Sequence, residues 1–271
     1  MNYRHGYHAG NFADVVKHVA LVAILQHLKK KDAAFAVVDS HAGRGAYDLG
    51  GAEAAKTGEA NSGIARLAGL TGNLPEALAA YLSLVKECGV HFYPGSPMIA
   101  AKLLRPQDRL TAIEKHPAEF ATLKEALAPF RNAVAEQDDG YARAIKLLPP
   151  PSRRGLVLLD PPFEAPDEFS ALAQIVRGAV RKFATGIFLV WYPIKSQAAA
   201  DAFTGEILAG GMTKAMTLDT AITALEGKLG RAGLLVINPP YGFDAAMRAT
   251  AGIIAPLLGA TITTVWLAGA E

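Results

Sequence analysis

The chain has a single cysteine, Cys88, among 271 residues. One thiol cannot close an internal disulfide or build a cysteine-based zinc site. No run of about 18 apolar residues could cross a bilayer, and no secretory signal stands at the start, so the expected location is the cytoplasm. Charge is scarce as well: Asp, Glu, Lys and Arg make up 19% of residues with a formal net charge of +2, against 51% hydrophobic. Such a chain has ample core for one domain with an insertion, or for two. It is not a basic tail that coats nucleic acid, and a polyanion would have to be met by a local patch. Nothing in it demands a dimer, and a monomer is expected. Also missing are the G-x-G-x-x-G fingerprint of dinucleotide folds and the lysine of a phosphate-binding P-loop, which disfavours dinucleotide and triphosphate ligands.

The stretch that is present and organises the rest is Gly155 to Phe163, GLVLLDPPF. Four apolar residues read as a buried strand, and two prolines fix φ and remove two N–H donors, so sheet pairing stops there. In such a corner Asp160 can accept one N–H of a planar exocyclic amine, the Pro161 carbonyl can accept the other, and Phe163 offers a face on which a base can stack. A second stretch, Gly233 to Tyr241, GLLVINPPY, repeats the pattern with Asn238 in place of the aspartate. Position in the chain has to decide between the two.

The first eighteen residues, MNYRHGYHAGNFADVVKH, are too polar and aromatic for a frayed tail. Asn11 and Asp14 suggest an N-cap, and Val15, Val16, Val19, Val22, Leu25 and Leu28 mark a helix running to the lysines at 29–31. Residues 1–11 read as a cationic, aromatic arm in which Tyr3, Arg4 and His5 grip phosphate and base, with Lys17 and His18 facing inward at the active site. His5, His8 and His18 lack a carboxylate or cysteine at a metal-ligand spacing, so no metal is expected.

Residues 35–45, FAVVDSHAGRG, give a strand followed by a turn whose glycines at 43 and 45 let backbone approach a ligand. Without phosphate machinery this turn suits a nucleoside such as S-adenosylmethionine. Residues 48–92 are too long for a simple crossover and read as a helical insertion, with a helix from 74 to about 87 carrying Leu78, Leu82 and Val85 on one face. Ser96 is expected as an N-cap with Pro97 at the first helical position. From there strands at 109–114, 132–136, 155–160 and 186–192 alternate with helices, a doubly wound, mostly parallel α/β pattern. In such a sheet the ligand lies outside the carboxyl ends of the strands, where Asp39, His41, Glu114, Asp139 and Asp160 would meet. Glu114 is placed for ribose hydroxyls and Asp139 for an adenine amino group. The 233–239 strand follows a sixth strand near 212–219 too closely for a helix and is expected as its antiparallel partner, which sends Asn238 to the opposite end and favours Asp160. A helix at 243–257 and a strand at 261–267 complete the pattern.

The strand-one turn, Glu114, Asp139-Gly140 and D-P-P-F together look like the S-adenosylmethionine-dependent amino-methyltransferases, whose motif is (D/N/S)-P-P-(Y/F/W). The N-terminal block, DSHAGRG, YPGSP and SRRGLVLLDPP resemble more narrowly the ribosomal RNA large subunit methyltransferase J family, nearly end to end. The resemblance implies a Rossmann-like class I methyltransferase, residues 1–47 and 93–271, with 48–92 inserted, that makes N6-methyladenine in 23S rRNA. It implies S-adenosylmethionine contacts at His18, His41, Ser96, Glu114, Asp139, Gly140 and Asp160, and a substrate contact at Tyr3. Phe163 departs from the tyrosine frequent in that family, which removes any role for a hydroxyl and keeps stacking. DNA adenine, cytosine N4 and guanine N2 methylation are the neighbouring chemistries that D-P-P-F alone does not separate. Arg153-Arg154 and Arg177, Arg181, Lys182 are candidate contacts to an RNA backbone, or plain solvated faces.

Overall fold

The computed structural model describes residues 4–223 and 229–270. Tyr3 therefore lies outside the described residues. The first long element is α1 (Phe12–Lys29). The Asn11 side-chain oxygen accepts from the amides of Ala13 and Asp14, both at 2.9 Å, and so satisfies two of the orphan donors at the helix start. The helix is buried on nearly every side. Its polar residues Asp14, Lys17 and His18 are buried with it and need partners inside the protein.

After α1 come β1 (Ala36–Asp39), β2 (Ala46–Asp48), α2 (Ala52–Thr57), α3 (Glu59–Ser62), α4 (Glu76–Glu87), β3 (Phe92–Pro94), α5 (Ser96–Leu103) and β4 (Arg109–Ile113). They are followed by α6 (Pro117–Leu127), β5 (Ala133–Glu136), α7 (Gly140–Lys146), β6 (Gly155–Leu159), α8 (Glu168–Lys182) and β7 (Ile187–Pro193). The chain closes with α9 (Gln197–Leu208), β8 (Ala215–Ile222), β9 (Arg231–Ile237), α10 (Phe243–Leu258) and β10 (Ala260–Ala268). None of the described helices is long and apolar enough to cross a membrane.

The main sheet has the order β10-β8-β9-β7-β6-β1-β4-β5. From β5 to β7 the strands are parallel, while β9 lies antiparallel between β7 and β8, and β10 pairs antiparallel with β8. Helices cover both faces, giving one core against α1, α4, α5 and α10 and another against α7, α8 and α9. This is the expected doubly wound, Rossmann-like α/β fold. The chain leaves β1 toward β4 and β5, then returns to β6 on the other side of β1, so the switch point lies outside the carboxyl ends of β1, β4 and β6.

The same order separates the two Pro-Pro corners. Because β9 runs against β7, Asn238 ends at the far pole, where its Nδ2 donates to the carbonyls of Ala184 (2.8 Å) and Gly186 (2.7 Å) just before β7. The expected hairpin of β8 and β9 is present.

At the two ends of 48–92, β2 and β3 pair antiparallel and close the segment at its base. The helix α4 turns Ala77, Leu78, Tyr81 and Leu84 into the same core as α1. Leu82 and Val85, expected on that face, sit half-buried at its margin. Two further differences are local. Ser96 is the first residue of α5 rather than its cap, because Gly95 holds the cap position and the Ser96 hydroxyl donates to Asp39 Oδ2 at 2.7 Å. And α7 is an additional helix after β5, capped by Asp139, whose Oδ1 accepts from the amide of Ala142 at 3.1 Å.

Candidate active site

Where β6 stops, Asp160 points at α1. Its Oδ2 is 2.5 Å from Lys17 Nζ, and the same ammonium is 2.8 Å from Asp14 Oδ1. Asp14 Oδ2 in turn accepts from the amide of Gly10 at 2.9 Å and meets His5 Nε2 at 2.9 Å. Burial alone would push the Lys17 pKa down, but Asp14 and Asp160 outweigh it and hold the ammonium above its ordinary range. Burial likewise works against the Asp14 carboxylate, and His5 and Lys17 outweigh it, leaving Asp14 well below the usual carboxylate range. Two carboxylates thus share one buried lysine.

Two clefts meet at this cluster, with His5, Lys17, Asp160 and Pro162 in the walls of both. The first lies over the carboxyl ends of β1 and β4 and is lined also by His18, His41, Gly43, Ser96 and Glu114. Glu114 is held by two amides, Gly43 N–H to Oε2 at 2.9 Å and His116 N–H to Oε1 at 2.7 Å. Burial raises its pKa despite those bonds. Gly43 sits at φ +61°, and a Cβ there would meet the Tyr47 hydroxyl at 2.1 Å, so the turn requires glycine. His18 hydrogen-bonds the Tyr93 hydroxyl through Nδ1 at 2.7 Å, and burial pushes its pKa down to about 3. His41 hydrogen-bonds Ser40 Oγ through Nδ1 at 2.7 Å and stands edge-on to Tyr141, with burial lowering it to about 4. Both imidazoles are therefore neutral at pH 7.

A cleft walled by neutral histidines, an acidic Glu114 and a lysine already shared by two carboxylates offers nothing to a phosphate. It suits a ligand that carries positive charge. Asp39 lies beneath it, fully buried, bonded through Oδ2 to Ser96 while Oδ1 has no protein partner; burial pushes its pKa up to about 7.

The remaining expected cofactor residues stand just outside this lining. Asp139 caps α7 and receives Lys115 Nζ at 3.0 Å on its other oxygen. Gly140 passes so close under the β1 turn that a Cβ would lie 2.0 Å from the Ser40 carbonyl oxygen.

The second cleft is lined by Phe163, Trp191, Pro193 and Lys195 on one side and by His8, Asn11, Thr57 and Glu59 on the other. Phe163 has φ +50°, a left-handed conformation that is uncommon for an aromatic residue and concentrates at functional sites. Its ring is tilted 4.8 Å from Phe169 and edge-on to Trp191 at 5.8 Å. Of the arm residues, His5 reaches the junction of the clefts, whereas Arg4 is exposed, with its guanidinium 3.5 Å from Glu53. The insertion holds the arm down: Glu59 takes His8 Nδ1 and Asn11 Nδ2, both at 3.0 Å, and the Thr57 hydroxyl donates to the Tyr7 carbonyl. Among the described residues no cluster of His, Cys, Asp and Glu is arranged to hold a metal ion. Arg154 is spent inside the fold on the carbonyls of Ala33 and Leu28.

Two features of the site are hidden in the sequence. Asp14 looks like part of a helix cap, although its i,i+3 spacing to Lys17 puts both on one helix face. Trp191 looks like plain strand, although β7, parallel to β6, brings its own carboxyl end beside Asp160.

The sequence pattern of the family described as "Ribosomal RNA large subunit methyltransferase D, RlmJ" matches residues 32–268. The chain is 36% identical over 255 residues to Ribosomal RNA large subunit methyltransferase J of Haemophilus influenzae, covering 92% of this chain and 90% of the relative. Against the Escherichia coli protein of the same name it is 38% identical over 253 residues, covering 91% and 90%. Among solved structures, protein LPL1258 from Legionella pneumophila superposes with a TM-score of 0.89 at 32% identity, over 95% of this chain and 98% of that one.

Proposed function

The chain belongs to the ribosomal RNA large subunit methyltransferase J family, and from that premise we propose that it methylates N6 of one adenine in 23S rRNA, using S-adenosylmethionine and acting on exposed or protein-free RNA. The observation that carries the reading is the junction of two clefts at Asp160: one suits a cationic nucleoside, the other is aromatic and open enough for a base. S-adenosylmethionine brings a methyl group activated on a sulfonium. In this reading Glu114 takes the ribose hydroxyls, His18, His41 and Ser96 line the cleft around the ligand, Gly140 lets the chain pass close under the β1 turn, and Asp139 is the acceptor assigned to its adenine amino group.

The acceptor is a poor nucleophile, since the N6 lone pair is delocalised into the ring. Asp160 accepts one N–H and the Pro161 carbonyl the other, which favours a pyramidal nitrogen with its lone pair restored. Phe163 and Trp191 hold the ring plane. As the N–C bond forms, the S–C bond breaks with its electron pair going to sulfur, and one N–H proton leaves to Asp160 or water. Alignment of two bound reactants supplies most of the acceleration. The adenine must be unstacked to enter, at a cost on the order of a few kcal/mol, which favours a loop or an exposed helix end. His5 and Arg4, with Tyr3 beyond the described residues, hold the flanking RNA.

The test is transfer from radiolabelled S-adenosylmethionine to protein-free large-subunit rRNA, small-subunit rRNA and duplex DNA, followed by nucleoside digestion. N6-methyladenosine from large-subunit RNA alone is the expected result. Label in DNA, or in guanine, would overturn the assigned base or substrate.

A further inference from the structure

We infer that Asp14 is a positioning residue for the transfer reaction: it shares the Lys17 ammonium with Asp160, so that the lysine does not answer to Asp160 alone, and it adds a fixed negative charge beside the junction of the clefts. The inference rests on the methyl-transfer reading above.

The geometry poses the problem that Asp14 solves. A lysine 2.5 Å from Asp160 Oδ2 is closer than an ordinary charge-assisted bond requires. If Asp160 were its sole partner, the pair would be neutral, and the aspartate's affinity for an amine hydrogen would be spent on the lysine. Asp14 supplies a second carboxylate to the same ammonium at 2.8 Å. Two carboxylates then stand against one ammonium. Asp14 is itself fixed, 2% exposed, with its other oxygen held by the Gly10 amide and by His5. It cannot follow Lys17 toward Asp160, so the ammonium is held in contact with both carboxylates, nearer to Asp160 than to Asp14. Around the cluster, His5 sits on the outer oxygen of Asp14 at 2.9 Å and Lys195 lines the second cleft, while burial holds His18 and His41 neutral across the first.

A cationic sulfonium benefits from the Asp14 charge and a neutral thioether does not. Asp14 should therefore contribute to the preference for S-adenosylmethionine over S-adenosylhomocysteine, which differ at sulfur by one methyl and one charge.

The experiment compares Asp14→Asn with the unaltered protein by calorimetric titration with each ligand in the absence of RNA, and by single-turnover methyl transfer. The expected result is a roughly fivefold fall in the ratio of the two affinities, the order of one charge several ångströms away across a partly wet cleft. Affinity for S-adenosylhomocysteine should stay within about twofold, and the transfer rate should drop about 100-fold, as misplacement of a reacting group costs. Equal losses for both ligands would show a merely structural carboxylate and overturn the proposal, as would an unchanged ratio. Asp14→Glu keeps the charge and must keep the ligand ratio even where its rate falls; losing the ratio there refutes the proposal however Asp14→Asn folds. A wrong target base would alter the nucleoside product and leave the ligand ratio as it is, whereas unaltered protein that binds neither ligand would sink both readings.

Discussion

Asp39 gives the site a pH signature whose sign can be worked out. Burial raises it to about 7, above an unfolded value near 4, so between those limits the folded state holds a proton that the unfolded chain has released. The stability from this group is present below pH 4 and is lost as pH rises toward 7. His18, pushed down to about 3, acts oppositely: below about 6.5 the unfolded chain binds the proton first, and stability falls as pH falls. The two slopes oppose each other between pH 4 and 6.5. Asp39→Asn removes one of them, so the variant should lose stability on acidification more steeply than the parent, by about 1.4 kcal/mol per pH unit, read from urea midpoints at a series of pH values. Parallel curves would mean that Asp39 is ionised in the folded protein. None of this is visible in DSHAGRG, where the aspartate is merely the end of a strand; its burial and its bond to Ser96 depend on a helix that begins 57 residues later.

At the scale of elements, the two Pro-Pro corners are nearly the same words with different neighbours. The β6 corner opens on both clefts because its strand is parallel and lies beside β1; the β9 corner is a brace because its strand runs the other way. Asp160→Ala should cut methyl transfer by about 10²- to 10⁴-fold in a protein that still folds, since Asp14 remains to pair Lys17. Asn238→Ala should leave turnover per folded molecule unchanged. It should still cost about 1–3 kcal/mol, from two lost hydrogen bonds and from placing alanine at φ +53°. Circular dichroism melts beside a transfer assay separate the two outcomes, and activity loss in Asn238→Ala alone would mean that the corners have been exchanged. This much could be read in advance because each parallel strand is an apolar run closed by a polar tip. What could not be read were the short pieces. The seven residues of α7 span too few turns for a helical period to show, β2 and β3 are three-residue strands paired across the insertion, and Ser96 follows capping statistics that its bond to Asp39 overrides.

For the whole molecule, the open question is whether 48–92 behaves as a separate lid. Composition suggests an appendage, because a helix bounded by glycine-rich, polar sequence looks the same whether its apolar face meets its own small core or the main one. The packing argues for the main one. Leu78 and Tyr81 are fully buried in the core that contains α1, and the Tyr81 hydroxyl meets that of Tyr93 at 3.0 Å, which meets His18 at 2.7 Å. A chain of hydrogen bonds thus runs from the insertion to the wall of the first cleft, while Glu59 holds the arm that lines the second. If the insertion is part of one cooperative unit, Leu78→Ala should lower the stability of the entire protein by about 2–5 kcal/mol, in a single urea transition seen alike by far-ultraviolet dichroism, tryptophan fluorescence and binding of S-adenosylmethionine. An independent lid would instead give an early transition that leaves cofactor binding and the tryptophan signal of β7 and β10 intact. In the cooperative case, substitutions in α4 that touch neither ligand would reduce methyl transfer only through the folded fraction, and saturating cofactor, which binds the folded state alone, would restore it.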